Sequence, residues 1–391
     1  MSELQYWVWL SMRTAVRPEI KRALLAHCDG ARTLFYARRE DLLGLGVRLR
    51  PSEEKALLDK DLAAVDEALE RCERAGVTLI TLRDAGYPER LRRLESAPTV
   101  LYVRGRLPRI DDRPALAVVG TRRASDYGLR TAKRFGADIA RSGCLLVSGM
   151  TDGVDGAAAE GALEAGGTVI GVTGAAIDGR FAEPLAGRVA HSGAVLGEFA
   201  PGDRAMQGFR ARNRITAGLA MATVVVEAPA KSGTLLFADE TIAQSKEVYV
   251  VPGNVDEQRA AGSNALLMDG ARPASSAWDV LADFQTEYPA LHEPQEAPSK
   301  PVAEAQPAQK GIDKENDAAY IDMEMLKKGL NETEMLLVGA LTDGALALDD
   351  LLERTGLASA EAMPSLTMLQ IMGIVRPLPG KRYALGIEPV T

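Results

Sequence analysis

Between residues 115 and 252, six short apolar runs alternate with stretches of helical pattern, and this alternation limits the possible folds more than any other feature. The runs lie at 115–120, 144–148, 168–173, 194–198, 223–228 and 247–252, and valine recurs in them. Helical patterns separate them, notably at 127–141, 155–165, 212–222 and 234–245. Valine-rich strands joined by helices predict a parallel sheet covered on both faces, the doubly wound α/β arrangement. Two earlier runs, 78–82 and 100–103, read as further strands bracketing Tyr87-Pro88. The expectation is an extended Rossmann-like core over 76–284, with a mostly parallel sheet.

The flanks have other patterns. Residues 1–75 carry apolar positions at spacings of three and four, so a small helical module is expected there. Within it, Leu42-Leu43-Gly44-Leu45-Gly46-Val47 is a turn of helix-hairpin-helix type. Such turns can offer backbone amides to phosphate, but plain helical connections of this form are commoner. Residues 285–325 hold five prolines and nine acids against three lysines with little apolar periodicity, the composition of a flexible acidic linker. Residues 326–391 then suggest three helices followed by a short hairpin flanking Pro379-Gly380, a winged-helix pattern. Its expected recognition helix, near 359–372, has no Lys or Arg to read a groove, so protein contact or packing is the expected use.

Composition removes several functions. The chain has three cysteines (Cys28, Cys72, Cys144) and three histidines (His27, His191, His292), all scattered and without metal or redox spacing. Metal hydrolysis and Ser-His or Cys-His nucleophilic catalysis lose support, and neither a metal nor a cofactor is expected. No apolar run approaches the ~20 residues of a membrane span. The opening Met-Ser-Glu lacks the basic and apolar regions of a secretory leader, so a cytoplasmic location is expected. The net charge of −8 lies wholly beyond residue 284, because 326–391 adds eight acids against six bases to the acidic linker. A neutral body with local arginine clusters can still bind an anion.

Ligands of a doubly wound sheet collect outside the carboxyl ends of its strands. Three such junctions are small, polar and Gly-rich: Gly120-Thr121-Arg122 with Ser125 or Asp126 as N-cap, Ser148-Gly149 through Asp155, and Lys231-Ser232-Gly233-Thr234. Glycine lets the backbone approach a phosphate, and hydroxyls add donors. Phe209-Arg210-Ala211-Arg212-Asn213-Arg214 precedes the fifth run. Arginine forks bind phosphate, a ring can stack on a base, and helix N-termini attract anions. Each junction alone is weak evidence, and arginines taken singly are more often solvated or paired with carboxylates. Together they suggest a site for a phosphate-bearing chain. The GxGxxG spacing of dinucleotide sites and the GxxxxGK[ST] of P-loops are both absent.

Several motifs resemble those of the DprA/Smf DNA-processing family, in order and at family spacing from about Tyr87 to Ala271. They are Gly120-Thr121-Arg122, Ser148-Gly149-Met150 with Gly153-Val154-Asp155, Gly197-Glu198-Phe199 with Pro201-Gly202, and Phe209 with Arg212-Asn213-Arg214-Ile215 and Ala217-Gly218-Leu219. Val226-Glu227-Ala228 with Ser232-Gly233-Thr234, and Val251-Pro252-Gly253 with Gly262-Ser263-Asn264, complete the set. The resemblance implies a non-enzymatic protein of natural transformation that binds and protects single-stranded DNA and loads the RecA recombinase onto it. It also implies a homodimer formed through the Rossmann-like core, and it leaves open whether duplex DNA is bound as well.

By the same resemblance, Arg122, Arg212 and Arg214 would meet phosphates, Asn213 would bind or orient, and Phe209 would stack a base. Gly120, Thr121, Ser148, Gly149, Arg210, Lys231, Ser232 and Gly233 complete the expected DNA-binding set. The sequence departs from the family pattern at Asp152, where a basic residue is usual, at Ala159, often histidine, and at Arg210, commonly proline. The Asp152 carboxylate is expected to repel phosphate, with Arg210 and Lys231 compensating. The alternative is a nucleotide-processing hydrolase of the phosphoribohydrolase type. Its PGGxGTxxE signature fails here, because Ser232-Gly233-Thr234-Leu235-Leu236-Phe237 lacks the acid.

Overall fold

The computed structural model describes residues 2–178, 184–203, 208–294, 332–341, 344–371, 374–378 and 382–385. The chain divides into two compact units, residues 1–299 and 300–391.

The first unit opens with six helices: α1 (Glu3–Ser11), α2 (Pro18–Ala26), α3 (Ala31–Tyr36), α4 (Arg39–Gly44), α5 (Pro51–Leu58) and α6 (Ala63–Arg74). Trp9, Leu10, Leu24, Leu34, Leu42 and Leu57 are fully buried in one hydrophobic core continuous with that of the sheet. The Gly44–Gly46 turn is open, with Leu43 exposed and Gly46 at φ +72°.

The remainder alternates: β1 (Val77–Thr81), α7 (Glu89–Arg92), β2 (Val100–Gly105), β3 (Ala115–Val119), α8 (Asp126–Arg141), β4 (Leu145–Ser148), α9 (Val154–Glu164), β5 (Val169–Val172), α10 (Leu185–Ser192) and β6 (Ala194–Gly197). Then follow α11 (Gly208–Leu219), β7 (Ala222–Val225), α12 (Gly233–Ala243), β8 (Val248–Val250), α13 (Ala261–Met268), β9 (Arg272–Pro273) and α14 (Trp278–Leu281). The nine strands form one sheet in the order β1-β2-β6-β5-β4-β3-β7-β8-β9. Pairing is parallel from β6 through β9, and antiparallel where β1 meets β2 and β2 meets β6. The mostly parallel doubly wound sheet expected from the alternation is therefore the fold, extended by two antiparallel strands.

Strand order reverses at β3. From β3 the chain adds β4, β5 and β6 on one side, then crosses back to lay β7 on the other, with Val119 opposite Val225. At such a switch point the two flanking loops part and leave a crevice at the carboxyl ends. Glycines bring α8 and α9 unusually close: a Cβ at Gly136 would fall 1.9 Å from the Ala158 carbonyl oxygen, and one at Gly161 2.0 Å from that of Lys133. This fixes the loops that precede both helices.

Helix α11 differs from its expected span. It starts at 208, four residues before the apolar pattern suggested, and ends at 219. Arginine is a good helix former, so Phe209 through Arg212 lie inside the first turns. The expected helix ran on to 222, but Ala220 and Met221 form the connection and Ala222 opens β7.

The second unit contains α15 (Glu332–Ala340), β10 (Leu346–Ala347), α16 (Leu348–Thr355), α17 (Ser359–Ile371), β11 (Val375–Leu378) and β12 (Arg382–Leu385), with sheet order β10-β12-β11. Three helices around such a hairpin make the expected winged helix, and α17 carries no Lys or Arg. Most of the expected linker and the hairpin turn at 379–381 lie outside the described residues.

Candidate nucleic-acid interface

A cavity of about 450 Å³ occupies the switch point, lined by the loops after β3 and β7 and by the first turns of α11 and α12. Close backbone contacts hold its walls. Gly120 has no room for a side chain, since a Cβ would come within 2.5 Å of Val154. Gly153, at φ +80°, packs against Thr121 and Arg122, and a Cβ there would clash with the Thr121 carbonyl at 2.3 Å. Thr121 N donates to the Glu227 carbonyl at 2.8 Å, and the buried Glu227 carboxylate accepts from Ser125 N at 2.9 Å and from the Ser125 hydroxyl. Ser125 in turn N-caps α8, accepting from Gly128 N. The loop after β3 is thus tied to the strand edge beside it.

Helix α11 is pinned at both ends. Gly208 packs on the Gly174 backbone, where no side chain fits, and Lys246 donates to the carbonyls of Ala217, Gly218 and Ala220 at 2.7–2.8 Å. Burial lowers the Lys246 ammonium to a pKa of about 8. This placement turns Phe209, Arg212 and Asn213 into the cavity. The Arg212 guanidinium lies over the Phe209 ring, 5.1 Å from its centroid. A Cβ at Gly233 would lie 2.8 Å from Phe209 Cζ, so the ring rests on the start of α12 and stays partly exposed. Ser232 caps α12 by accepting from Thr234 N at 3.1 Å.

The floor is Asp155, buried and accepting from Gly120 N at 3.3 Å. Burial raises its pKa to about 6 against the opposing pull of Arg212, the Gly120 amide, Thr151 and Arg122. A Cβ at Gly149 would sit 2.7 Å from Asp155 Oδ2 and 3.2 Å from Arg212 Nε, so the two groups crowd one point. Burial in turn lowers the Arg212 pKa, with Asp155 acting the other way. Asn213 is 3% exposed, and its Oδ1 has no hydrogen-bond partner. A buried amide oxygen without a partner at a cavity wall is a vacancy for a ligand donor, or for an acceptor if the amide is turned over. Arg122, Arg123 and Lys231 stand exposed around the mouth and form no ion pair among the described residues.

The structure therefore gathers Gly120, Thr121, Arg122, Phe209, Arg212, Asn213, Lys231, Ser232 and Gly233 around one cavity. It places the others elsewhere. Ser148 is fully buried, its hydroxyl donating to the Asp155 carbonyl and accepting from Met150 N, both at 3.0 Å. Gly149 lies beneath the Asp155–Arg212 pair, and Met150 turns the loop with φ 52°. Arg210 and Arg214 face a different cavity, and Arg214 is paired with Glu198. Asp152 lines a third cavity, beside Arg130, Lys133 and Arg188, and not the switch-point one. The carboxylate lining the switch-point cavity is instead the buried Asp155. In the sequence Asp155 and Glu227 stand only as members of the Gly153-Val154-Asp155 and Val226-Glu227-Ala228 motifs. A carboxylate in the first turn of the helix after Gly149–Gly153, and another two residues past the end of β7, were the available signals.

These features define a doubly wound α/β protein with a cation-rimmed, glycine-lined cleft at its switch point and an appended winged helix. Residues 78–285 match the family of DNA recombination-mediator protein A, and residues 323–381 match the DprA winged helix domain. The chain belongs to the DNA recombination-mediator protein A family. It is 29% identical over 408 residues to Protein Smf of Synechocystis sp., covering 98% of both chains. It is 28% identical over 274 residues to the DNA processing protein DprA of Streptococcus pneumoniae, covering 68% of this chain and 96% of that one. The X-ray structure of that protein is similar to this one with a TM-score of 0.62, 25% identity, and coverage of 72% of this chain and 98% of the other.

Proposed function

We propose that the chain binds single-stranded DNA in the switch-point cavity and passes it to a RecA-type recombinase during natural transformation, acting without catalysis in the cytoplasm. The observation that carries this reading is the convergence of Arg122, Lys231 and Arg212 with the Phe209 ring and the N-terminus of α12 on one cleft. Guanidinium forks, an ammonium and helix amides suit phosphates, and an aromatic beside them suits a base of any sequence. Family membership supports the DNA-processing role. The same resemblance supports a homodimer through the Rossmann-like core. Duplex DNA is a secondary partner at most, because α17 offers a groove no cationic side chain.

The test is fluorescence anisotropy of labelled oligothymidylate titrated over a salt series. Arg122→Ala/Lys231→Ala should lower affinity at least about tenfold and flatten the salt slope by about 1.4, as expected for two lost phosphate contacts on a single strand. Unchanged affinity and slope would overturn the assignment. Release of free base from a nucleoside monophosphate would revive the hydrolase reading.

A further inference from the structure

A second cavity, of about 780 Å³, opens on the opposite face of α11. It lies between α2, the loop before β2, the carboxyl end of β6 and α11, and so on the same sheet edge as the switch-point cleft. Arg210 and Arg214, four residues apart on one helix face, line it, while Arg212 points to the first cavity. Within it lies Lys21, only 7% exposed, whose ammonium donates, among the described residues, to a single acceptor, the Ser11 carbonyl at 2.9 Å.

The charges in this cavity do not balance. Arg214 pairs with Glu198, both side chains nearly buried at 12% and 15% exposure, and the Arg214 Nε is buried with no partner. Lys21 feels the attraction of Glu198 and, less strongly, of Asp203, against repulsion from Arg214 and Arg13. Of the other acids at the wall, Glu19 is exposed and Glu240 accepts from Gln244 at 2.8 Å. Arg17 is engaged by Glu53 at 2.7 Å. Among the described residues two buried cations therefore have Glu198 as their nearest carboxylate, and a buried charge is costly unless it is paired and hydrogen-bonded. Lys21 and Arg214 both line a space in the size range of small-ligand sites. Arg210, exposed and without an ion-pair partner among the described residues, stands at the same wall.

We propose that this second cavity is a phosphate site. It takes either a phosphodiester of a strand that has rounded the first turn of α11 or the phosphate of a free nucleotide. The phosphate supplies a second anion beside Glu198, the one carboxylate that Lys21 and Arg214 share, and Arg210 closes over it. The inference rests on the strand-binding reading only for the strand as source.

Two oligothymidylates separate the cavities. One of about six nucleotides falls within the range of a single site, and one of about twenty exceeds it. Lys21→Met and Arg210→Ala should each weaken the longer strand about tenfold, flatten its salt slope by about 0.7, and leave the shorter one unchanged. Arg210 is exposed, so its variant keeps the test open if Lys21→Met does not fold. A thermal shift with deoxyadenosine monophosphate forms the other arm. A stabilisation lost in both variants but kept in Arg122→Ala/Lys231→Ala, with strand binding unaltered, assigns the site to a free nucleotide. If both variants bind both oligonucleotides like the parent and the mononucleotide shift is absent or unaltered, the proposal is overturned. If the parent binds neither oligonucleotide but is stabilised through Lys21, the strand-binding reading fails and this one stands.

Discussion

Arg212 and Arg214 stand two residues apart on α11, yet they occupy opposite electrostatic settings. Arg212 lies over Phe209 and shares its space with Asp155, a carboxyl that burial holds near a pKa of 6. Its counter-charge can be discharged by a proton near neutral pH, and its cavity is open to a ligand. Arg214 is locked to Glu198 through Nη2, with both side chains largely buried. A step of two residues along a helix turns a side chain by roughly 200°, which sends these two arginines to different cavities. Motif adjacency groups them, and helix phase separates them. The first is poised to exchange partners, whereas the second already holds one.

The sharpest way to break this comparison is to remove each arginine and measure unfolding. Arg214→Ala leaves Glu198 buried without its partner and should cost about 3 kcal/mol or more in a urea titration, the usual penalty for orphaning a buried charge. Arg212→Ala should cost less, because Asp155 takes up a proton instead of standing as a bare charge. Strand affinity should follow the reverse order for a short oligonucleotide. Equal losses of stability in the two variants would mean that both arginines are structural.

This contrast also marks where sequence reading stops. The valine-rich runs announced the strands because a parallel sheet buried on both faces needs continuous apolar residues, and β3 through β7 are wholly buried. The Gly-rich turns announced the cleft because only glycine fits where Gly120 meets Val154 and Gly153 meets Thr121. Helix phase was less legible. Ala220, Met221 and Ala222 continue the helical pattern past the end of α11 at 219, and the arginine-rich turn at 208–211 carries no apolar periodicity to mark its start. An error of this kind decides which arginine enters which cavity. The Lys21 cavity was not legible as a separate site, since its residues come from 11–21, 96–100, 198–199, 210–214 and 240 and meet only through tertiary packing.

Asp155 offers the next test. Its folded-state pKa is raised from the unfolded value of 3.8 to about 6, so the folded chain binds more protons between those values. The stabilising contribution of the neutral acid is complete below pH 3.8 and is lost as pH rises through about 6. The shift corresponds to about 2 to 3 kcal/mol across that window. Asp155→Asn keeps an acceptor for Gly120 N and removes the titration. The stability difference between variant and parent should therefore grow in favour of the variant from pH 4 to pH 7. At pH 7 the variant should also bind oligothymidylate more tightly, because no carboxylate then competes with phosphate for Arg212. A difference independent of pH would show that Asp155 is not the group that titrates.

The smallest expected effect concerns the ring that distinguishes the first cavity from the second. Stacking contributes roughly 1 to 3 kcal/mol per base in alanine substitutions of single-strand binders. Here one face of Phe209 is covered by Arg212 and the ring rests on Gly233, so the lower end applies. Phe209→Ala should cost about 1 kcal/mol, about a fivefold rise in Kd, and the loss should be the same on oligothymidylate and oligodeoxyadenylate. The Phe209→Ala/Arg212→Ala double variant should lose less than the sum of the single losses, since each side chain holds the other in place. A loss confined to one homopolymer would move recognition from the ring to Asn213, whose unpartnered amide oxygen is the group in that wall able to read a base edge. Additive losses would instead separate the ring from the guanidinium and leave Arg212 as a phosphate ligand alone.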